Sequence, residues 1–350
     1  MTKFFLPVRT ILLGSIGGLV GHFLHLPLGF LVGAMLSTIP FAMAGVRVPT
    51  PWPLRSFMIG VVGLMAGAAF TPQVFARASE WAFSLAGVAI YCTIITVIGL
   101  FACLRLGKQD RATAAFSAAP GGLSEILVMG PAYGADLRSL SLVHGMRLVV
   151  ILIVAPLIAV WAGAGSGMGP RTIDLSFSLP LKDVLILAAC LVIGIFGGRL
   201  ARLPAAHLTG PLILSGIVHY FGLTHSNPPQ VLVILAQIVI GTSVAQFFNN
   251  ASFKQILSGL VIGGGLTLLN LGIAALFAWG FQTWLDVPFT AGLIALVPGG
   301  LPEMSLIAIA LGLDPAFVSL HHLFRLILVL VLLPILVPLW APRTKLAEQH

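Results

Sequence analysis

The chain has 350 residues, of which 58% are hydrophobic and only 8% charged. A soluble domain carries about 25% charged residues, and 18 Lys and Arg with 10 Asp and Glu are too few to coat a water-facing surface. A soluble domain is therefore excluded, and so is disorder, which needs low hydrophobicity. The net charge of +8 comes from basic residues scattered singly between apolar runs. That pattern argues against direct nucleic-acid binding and for positive loops on the cytoplasmic side of a bilayer.

Residues 1–9 carry Lys3 and Arg9 ahead of an apolar run, the outline of a signal peptide, but no small-x-small cleavage site follows. Five long apolar segments are then expected at about 10–26, 28–45, 56–75, 81–104 and 137–162. Most approach the roughly 20 residues that span a bilayer as a helix. Ahead of the fifth lies a shorter element, 112–134, broken by Pro120-Gly121-Gly122. Proline lacks a donor and glycine admits unusual dihedrals, so regular structure stops there. A Gly/Ser-rich stretch at 163–169 and polar residues up to Asp183 form a linker. Five more apolar segments follow at about 183–200, 206–222, 231–248, 256–281 and 315–340. A second interrupted element, 289–312, is broken by Pro298-Gly299-Gly300.

The second set repeats the first. Pro120-Gly121-Gly122-Leu123-Ser124-Glu125 recurs as Pro298-Gly299-Gly300-Leu301-Pro302-Glu303, an offset of 178 (298 minus 120). Without a gap, Asp136 then matches Asp314, His144 matches His322 and Arg147 matches Arg325. Upstream the register shifts by one, so Pro27 and Gly33 match Pro204 and Gly210. The organisation expected is a membrane repeat at 1–165, a linker at 166–182 and a second membrane repeat at 183–350.

Charge then orders the topology. With both termini inside and each interrupted element returning to its own side, Arg47, Arg55, Arg105, Lys108, Arg111, Arg199, Arg202, Lys254, Arg343 and Lys345 fall inside. Arg77, Arg171 and Lys182 fall outside. The positive-inside rule therefore favours five crossings per half, and an odd number inverts the second half. The expected fold is an all-α polytopic membrane protein of about ten transmembrane helices in two inverted repeats of five. Each repeat carries a re-entrant or broken Pro-Gly-Gly helix. The expected location is the bacterial inner membrane, multi-pass, with both termini cytoplasmic. Paired interrupted elements in inverted halves point to a secondary transporter.

The repeated polar residues are the candidate substrate- and ion-binding set: Pro120, Gly121, Gly122, Glu125, His144 and Arg147, with Pro298, Gly299, Gly300, Glu303, His322 and Arg325. Glu125 and Glu303 fall at about the third helical position after the break. There a carboxylate either caps the new helix or binds a proton or cation at membrane depth. Arg147 lies eleven residues beyond Asp136, roughly 16 Å along a helix, with His144 on the same face. Two readings of Arg147 stand: a fixed pair with Glu125, or a fork for a solute carboxylate or phosphate. His144 and His322 read as core histidines that could also titrate near neutrality. Asp136 and Asp314 read as N-caps of the helices that follow.

Cys92, Cys103 and Cys190 form no CxxC pair. Neither His22 with His25 nor His321 with His322 has the carboxylates of a metal site. No cofactor, no metal and no catalytic constellation is expected, so the chain is not read as an enzyme.

The duplicated Pro-Gly-Gly-Leu-x-Glu followed by Gly-x-Asp, His and Arg resembles the bacterial AbrB-type membrane protein family, over nearly the whole chain. Members are labelled both as a regulator and as an ammonia monooxygenase. The resemblance implies an integral inner-membrane protein. A small soluble DNA-binding regulator shares the family name, and this sequence does not resemble it. A copper monooxygenase would need a compact His cluster, which the sequence lacks. Any role in regulating gene expression would be indirect. The leading expectation is a secondary transporter of a small anionic or carboxylated solute, coupled through a glutamate to a proton or cation. Its rivals are a membrane sensor acting through a partner and a membrane enzyme. The partners expected are the lipid bilayer, the solute and, optionally, further copies of the chain.

Overall fold

A computed structural model of the chain describes residues 2–76, 78–164 and 179–340. Most of the expected linker 166–182 lies outside the described residues, as do Arg77, Arg171, Arg343 and Lys345. Among the described residues every regular element is helical. In chain order the helices are α1 (Thr2–Phe23), α2 (Gly29–Met43), α3 (Trp52–Ala68), α4 (Pro72–Ala76) and α5 (Trp81–Arg105). The first interrupted element is α6 (Arg111–Ala118) and α7 (Leu123–Met129), followed by α8 (Leu137–Trp161). Then come α9 (Leu181–Leu200), α10 (Ala206–Tyr220), α11 (Gln230–Val244), α12 (Phe253–Gly259) and α13 (Gly265–Leu285). The second interrupted element is α14 (Phe289–Leu296) and α15 (Leu301–Ala310), followed by α16 (Pro315–Trp340). A π-helical turn, Leu260–Gly264, joins α12 to α13. It lies where Gly263 meets the Val143 carbonyl of α8, so a close approach of backbones accompanies the local rewinding.

Seven helical stretches of the described residues are long and apolar enough to cross a membrane, α11 with the turn that follows it and α12 joined to α13 among them, and they mark the chain as a membrane protein. The segments expected at 28–45, 56–75 and 206–222 are shorter, with 15, 17 and 15 residues in α2, α3 and α10. Leu28 and Ala205 take left-handed backbone conformations, with φ of 49° and 46°, immediately ahead of α2 and α10, and the two helices end at Met43 and Tyr220, before their expected ends. Helix α3 begins at Trp52, ahead of its expected start, and ends at Ala68, before the chain turns into α4 at Pro72.

Short helices suit these places because their partners are helices. Gly17 and Gly21 of α1 pack on Gly33 and Gly29 of α2. In the same way, Gly194 and Gly198 of α9 pack on Gly210 of α10. A side chain at Gly33 or Gly210 would run into the backbone of the facing helix. The halves also exchange contacts. Gly63 of α3 meets the Leu208 carbonyl of α10, and Gly241 of α11 meets the Leu31 carbonyl of α2. Gly60, Gly63 and Gly67 of α3 face His207, Leu208 and Leu212 of α10, so α3 and α10 run in the same direction.

Candidate functional site

The two interrupted elements are built alike. Asp110 opens α6 by accepting the Thr113 amide at 2.9 Å. The helix stops at Ala118 because Ala119 is extended (φ −62°, ψ 132°) ahead of Pro120, the conformation that a following proline favours. Val297, at φ −52° and ψ 131°, stops α14 ahead of Pro298 in the same way. Beyond the glycines the chain re-enters helix as α7 and α15.

Ending a helix inside the protein strands its last carbonyls away from water. Side chains from α8 and α16 supply the donors. His144 Nε2 donates to Phe116 O at 2.9 Å, and Arg147 donates to Ala119 O at 3.0 Å and Gly121 O at 3.5 Å. His322 Nε2 donates to Ile294 O at 2.8 Å, and Arg325 donates to Val297 O and Gly299 O, both at 2.7 Å. Each of these bonds has its counterpart 178 positions on. The buried guanidiniums, 5% and 3% exposed, also face the negative ends of α6 and α14. Between these clamps Tyr91 is buried, its hydroxyl donating to Asn270 O at 3.2 Å, within electrostatic reach of both arginines.

The second clamp closes further. Arg325 Nη1 also donates to Leu296 O at 3.2 Å, and Nη2 donates to His322 Nδ1 at 2.7 Å. That bond leaves the His322 proton on Nε2 and the ring neutral. His144 Nδ1 is buried and has no such partner.

The two readings of Arg147 can now be compared with the geometry. Arg147 makes no pair with Glu125. Its two hydrogen bonds go to carbonyls, and the charged group within its electrostatic reach is Arg325. The bonds that both arginines make go to carbonyls and to His322, while Arg325 Nε is buried without a partner. Both bond the carbonyls at the end of a broken helix.

Glu125 and Glu303 sit at the third position of α7 and α15. Each folds back so that its carboxylate occupies the space a side chain would need at Gly122 or Gly300. Glu303 is buried at 4% exposure, and Glu125 is half-buried. The two carboxylates lie within electrostatic reach of each other and of one shared cation, Arg55 of α3. Arg55 Nε donates to Ser243 Oγ of α11 at 3.1 Å, and its guanidinium lies 5.7 Å from the Trp52 ring centre. The Ala205 amide, at the start of α10, also lies against the Glu125 carboxylate. Sequence reasoning missed this role of Arg55. Its repeat counterpart, 178 positions on, is Val233, so a search for duplicated polar residues discards it.

Pro120, Pro298 and Gly121 are buried at the breaks. Side chains added at Gly121 and Gly122 would press on Val329 and Leu326 of α16, so the first break packs against the second half's clamp helix. The remaining expected residues close helix ends. Asp136 accepts the Ser139 amide at 2.8 Å, and its hydrogen bonds with Ser139 hold its carboxyl below the usual carboxylate range. Asp314 accepts the amides of Ala316 and Phe317 at 2.9 and 3.2 Å. An apolar cavity of about 520 Å³ beside α10 and α16 is lined by Phe70, Leu212, Gly216, Tyr220, Ser319 and Leu323. Neither glutamate lines it. Among the described residues no group of three His, Cys, Asp or Glu could hold a metal ion.

The family model described as "Transition state regulatory protein AbrB" matches residues 30–341. The chain belongs to the AbrB family. It is similar to "Putative regulator AbrB" of Escherichia coli (strain K12), at 25% identity over 325 residues and 91% of each chain. It is also similar to "Uncharacterized protein YhjN" of Bacillus subtilis (strain 168), at 23% identity over 93% of this chain and 90% of that one. The AbrB-family match takes in both Pro-Gly-Gly breaks and both Arg/His clamps, so the site is part of the matched region and not an appendage to it.

Proposed function

We propose that this AbrB-family protein is a secondary transporter of a small anionic or carboxylated solute, working by alternating access across the bacterial inner membrane. The observation that carries the reading is that Glu125 and Glu303, each just past a half-helix break, lie within electrostatic reach of each other and of Arg55. Irregular backbone at membrane depth is tolerated where it is buried in protein or lines a cavity. Paired breaks of this kind form the solute site in many transporters. Three guanidiniums (Arg55, Arg147, Arg325) against two carboxyl groups leave at least one positive charge. A solute carboxylate balances it, and a proton taken up by Glu125 or Glu303 raises the attraction further. Proton and anion would therefore bind together, which is the requirement for symport.

In this reading ten helices cross the membrane, five in each half, with both termini cytoplasmic. The parallel course of α3 and α10 supports the inversion. Consecutive crossings α2 and α3 run oppositely, so α10, the counterpart of α2, is reversed relative to it. Reporter fusions at Ala164 should read periplasmic and at Arg202 cytoplasmic. A cytoplasmic signal at Ala164 overturns the inverted arrangement.

The transport test is accumulation of radiolabelled acetate, lactate and succinate in proteoliposomes under an imposed pH gradient. Uptake above protein-free vesicles supports the reading, and no uptake of any of the three sinks it. The relative named "Putative regulator AbrB" favours one second reading, a membrane sensor that acts on gene expression through a partner. Saturable binding of a carboxylate without flux is its signature. No catalytic step is assigned to the chain.

A further inference from the structure

We infer that the first interrupted element, α6–α7 with Glu125, is the moving gate, and that the second, α14–α15 with Glu303, is its fixed counterpart. The inference rests on the transporter reading and goes beyond it by giving the two halves different work. The sequence repeat makes them look equivalent. Four independent features of the structure separate them.

The clamps differ first. Arg325 donates four hydrogen bonds, three to carbonyls and one to His322 Nδ1, at 2.7 to 3.2 Å. Arg147 makes two, and its bond to Gly121 is at 3.5 Å, the limit for such a contact. Burial differs next. In α15, Leu301 and the run from Glu303 to Ala308 are buried, whereas in α7 only Ile126 is, and Val128 is 79% exposed. Third, α15 has an anchor that α7 lacks. Ser305 Oγ lies 2.9 Å from Ser319 Oγ of α16, both buried, and Ser305 also donates to Leu301 O at 2.8 Å. The repeat counterpart of Ser305 is Leu127, which cannot bond in that way. The counterpart of Ser319 is Ser141, whose hydroxyl turns to Leu137 O of its own helix. Finally, α7 ends after seven residues in a 3₁₀ turn, Gly130–Tyr133, containing Pro131, whereas α15 runs for ten.

Each neutral hydrogen bond adds about 1 kcal/mol to the free energy of holding an element in place, and bonds to a charged group add more. An element held by fewer and longer bonds, with less of its surface covered, opens at lower free energy. Alternating access needs an element with two arrangements. The α6–α7 element is the one that can leave its present place without breaking the closed clamp. His144 Nδ1, buried and unpartnered, gives Arg147 a second acceptor to move onto, the one Arg325 already holds in the other half. Glu125, half-buried on the loose element, is then the carboxylate whose exposure alternates, and Glu303 stays in place.

The test is hydrogen exchange on the wild-type full chain in lipid nanodiscs, read by mass spectrometry. Amides bonded within a helix exchange only when it opens. Those of residues 126–129 in α7 should therefore exchange at least about tenfold faster than those of residues 304–310 in α15. Equal exchange in the two elements, or faster exchange in α15, overturns the inference whether or not carboxylates are transported. Faster exchange in α7 upholds the assignment of the opening element. The flux assay then decides separately whether that opening carries a solute.

Discussion

Glu125→Gln is expected to abolish pH-driven accumulation of carboxylates in proteoliposomes while leaving a folded protein that still binds them. Glutamine keeps the shape and the hydrogen-bonding reach of the side chain but carries neither a charge nor a titratable proton. The Arg55 charge that Glu125 shares with Glu303 then has one carboxylate to answer it instead of two, in every state of the cycle. Binding survives because the local charge becomes more positive, and coupling is lost because the carboxyl whose exposure alternates no longer titrates. Glu303→Gln should act differently. That residue is buried and folded over the start of α15, with Pro302 beside it where the first half has Ser124. Losing the charge at a helix N-terminus costs about 1 kcal/mol of stability, with flux reduced by less than in the first variant. The measurement is uptake between about pH 5 and pH 8, the range in which a coupling group must change charge. Should both variants accumulate solute normally across that range, the carboxylates are caps and nothing more, and the coupling mechanism is wrong.

Arg325→Ala should destabilise the protein by about 3 kcal/mol or more in a detergent unfolding titration. The substitution removes the donor to three carbonyls and to His322, all buried, and each stranded acceptor costs about 1–3 kcal/mol. Relief from burying a guanidinium offsets part of this cost. Arg147→Ala removes two bonds, one of them long, and should cost distinctly less. The Arg147→Ala, Glu125→Gln double variant should be additive to within about 0.5 kcal/mol, since the two residues share no contact. Rescue of the arginine variant by the glutamate variant would restore the ion pair that the structure replaces with helix-end carbonyls.

Much of this site was legible in the chain alone. Pro-Gly-Gly at 120–122 and 298–300 stops a helix wherever it stands, because proline lacks a donor and restricts the residue before it. Residues Ala119 and Val297 obey that rule locally. Asp136 and Asp314, each a short step ahead of a long apolar run, cap it through neighbouring amides, a contact fixed within four residues. The duplication reports itself at an offset of 178, and it selected His144, Arg147, His322 and Arg325 before their partners were known. What those residues touch was not legible. A buried guanidinium takes whichever acceptors lie nearest, and whether those are carboxylates or stranded carbonyls depends on the packing of α8 on α6 and of α16 on α14.

The sequence by itself determined that this is a helical membrane protein with two breaks, because composition and local backbone chemistry act over a few residues. It also set which polar residues recur. Only the packing of distant segments set that α3 and α10 run together, that Arg55 of one half lies within electrostatic reach of the glutamates of both, and that one copy of a duplicated element is buried and tightly clamped while the other is not. These are long-range facts. Two copies of one motif have the same local propensities, and only the unlike neighbours each meets, Ser319 beside Ser305 and no such partner beside Leu127, make them behave differently.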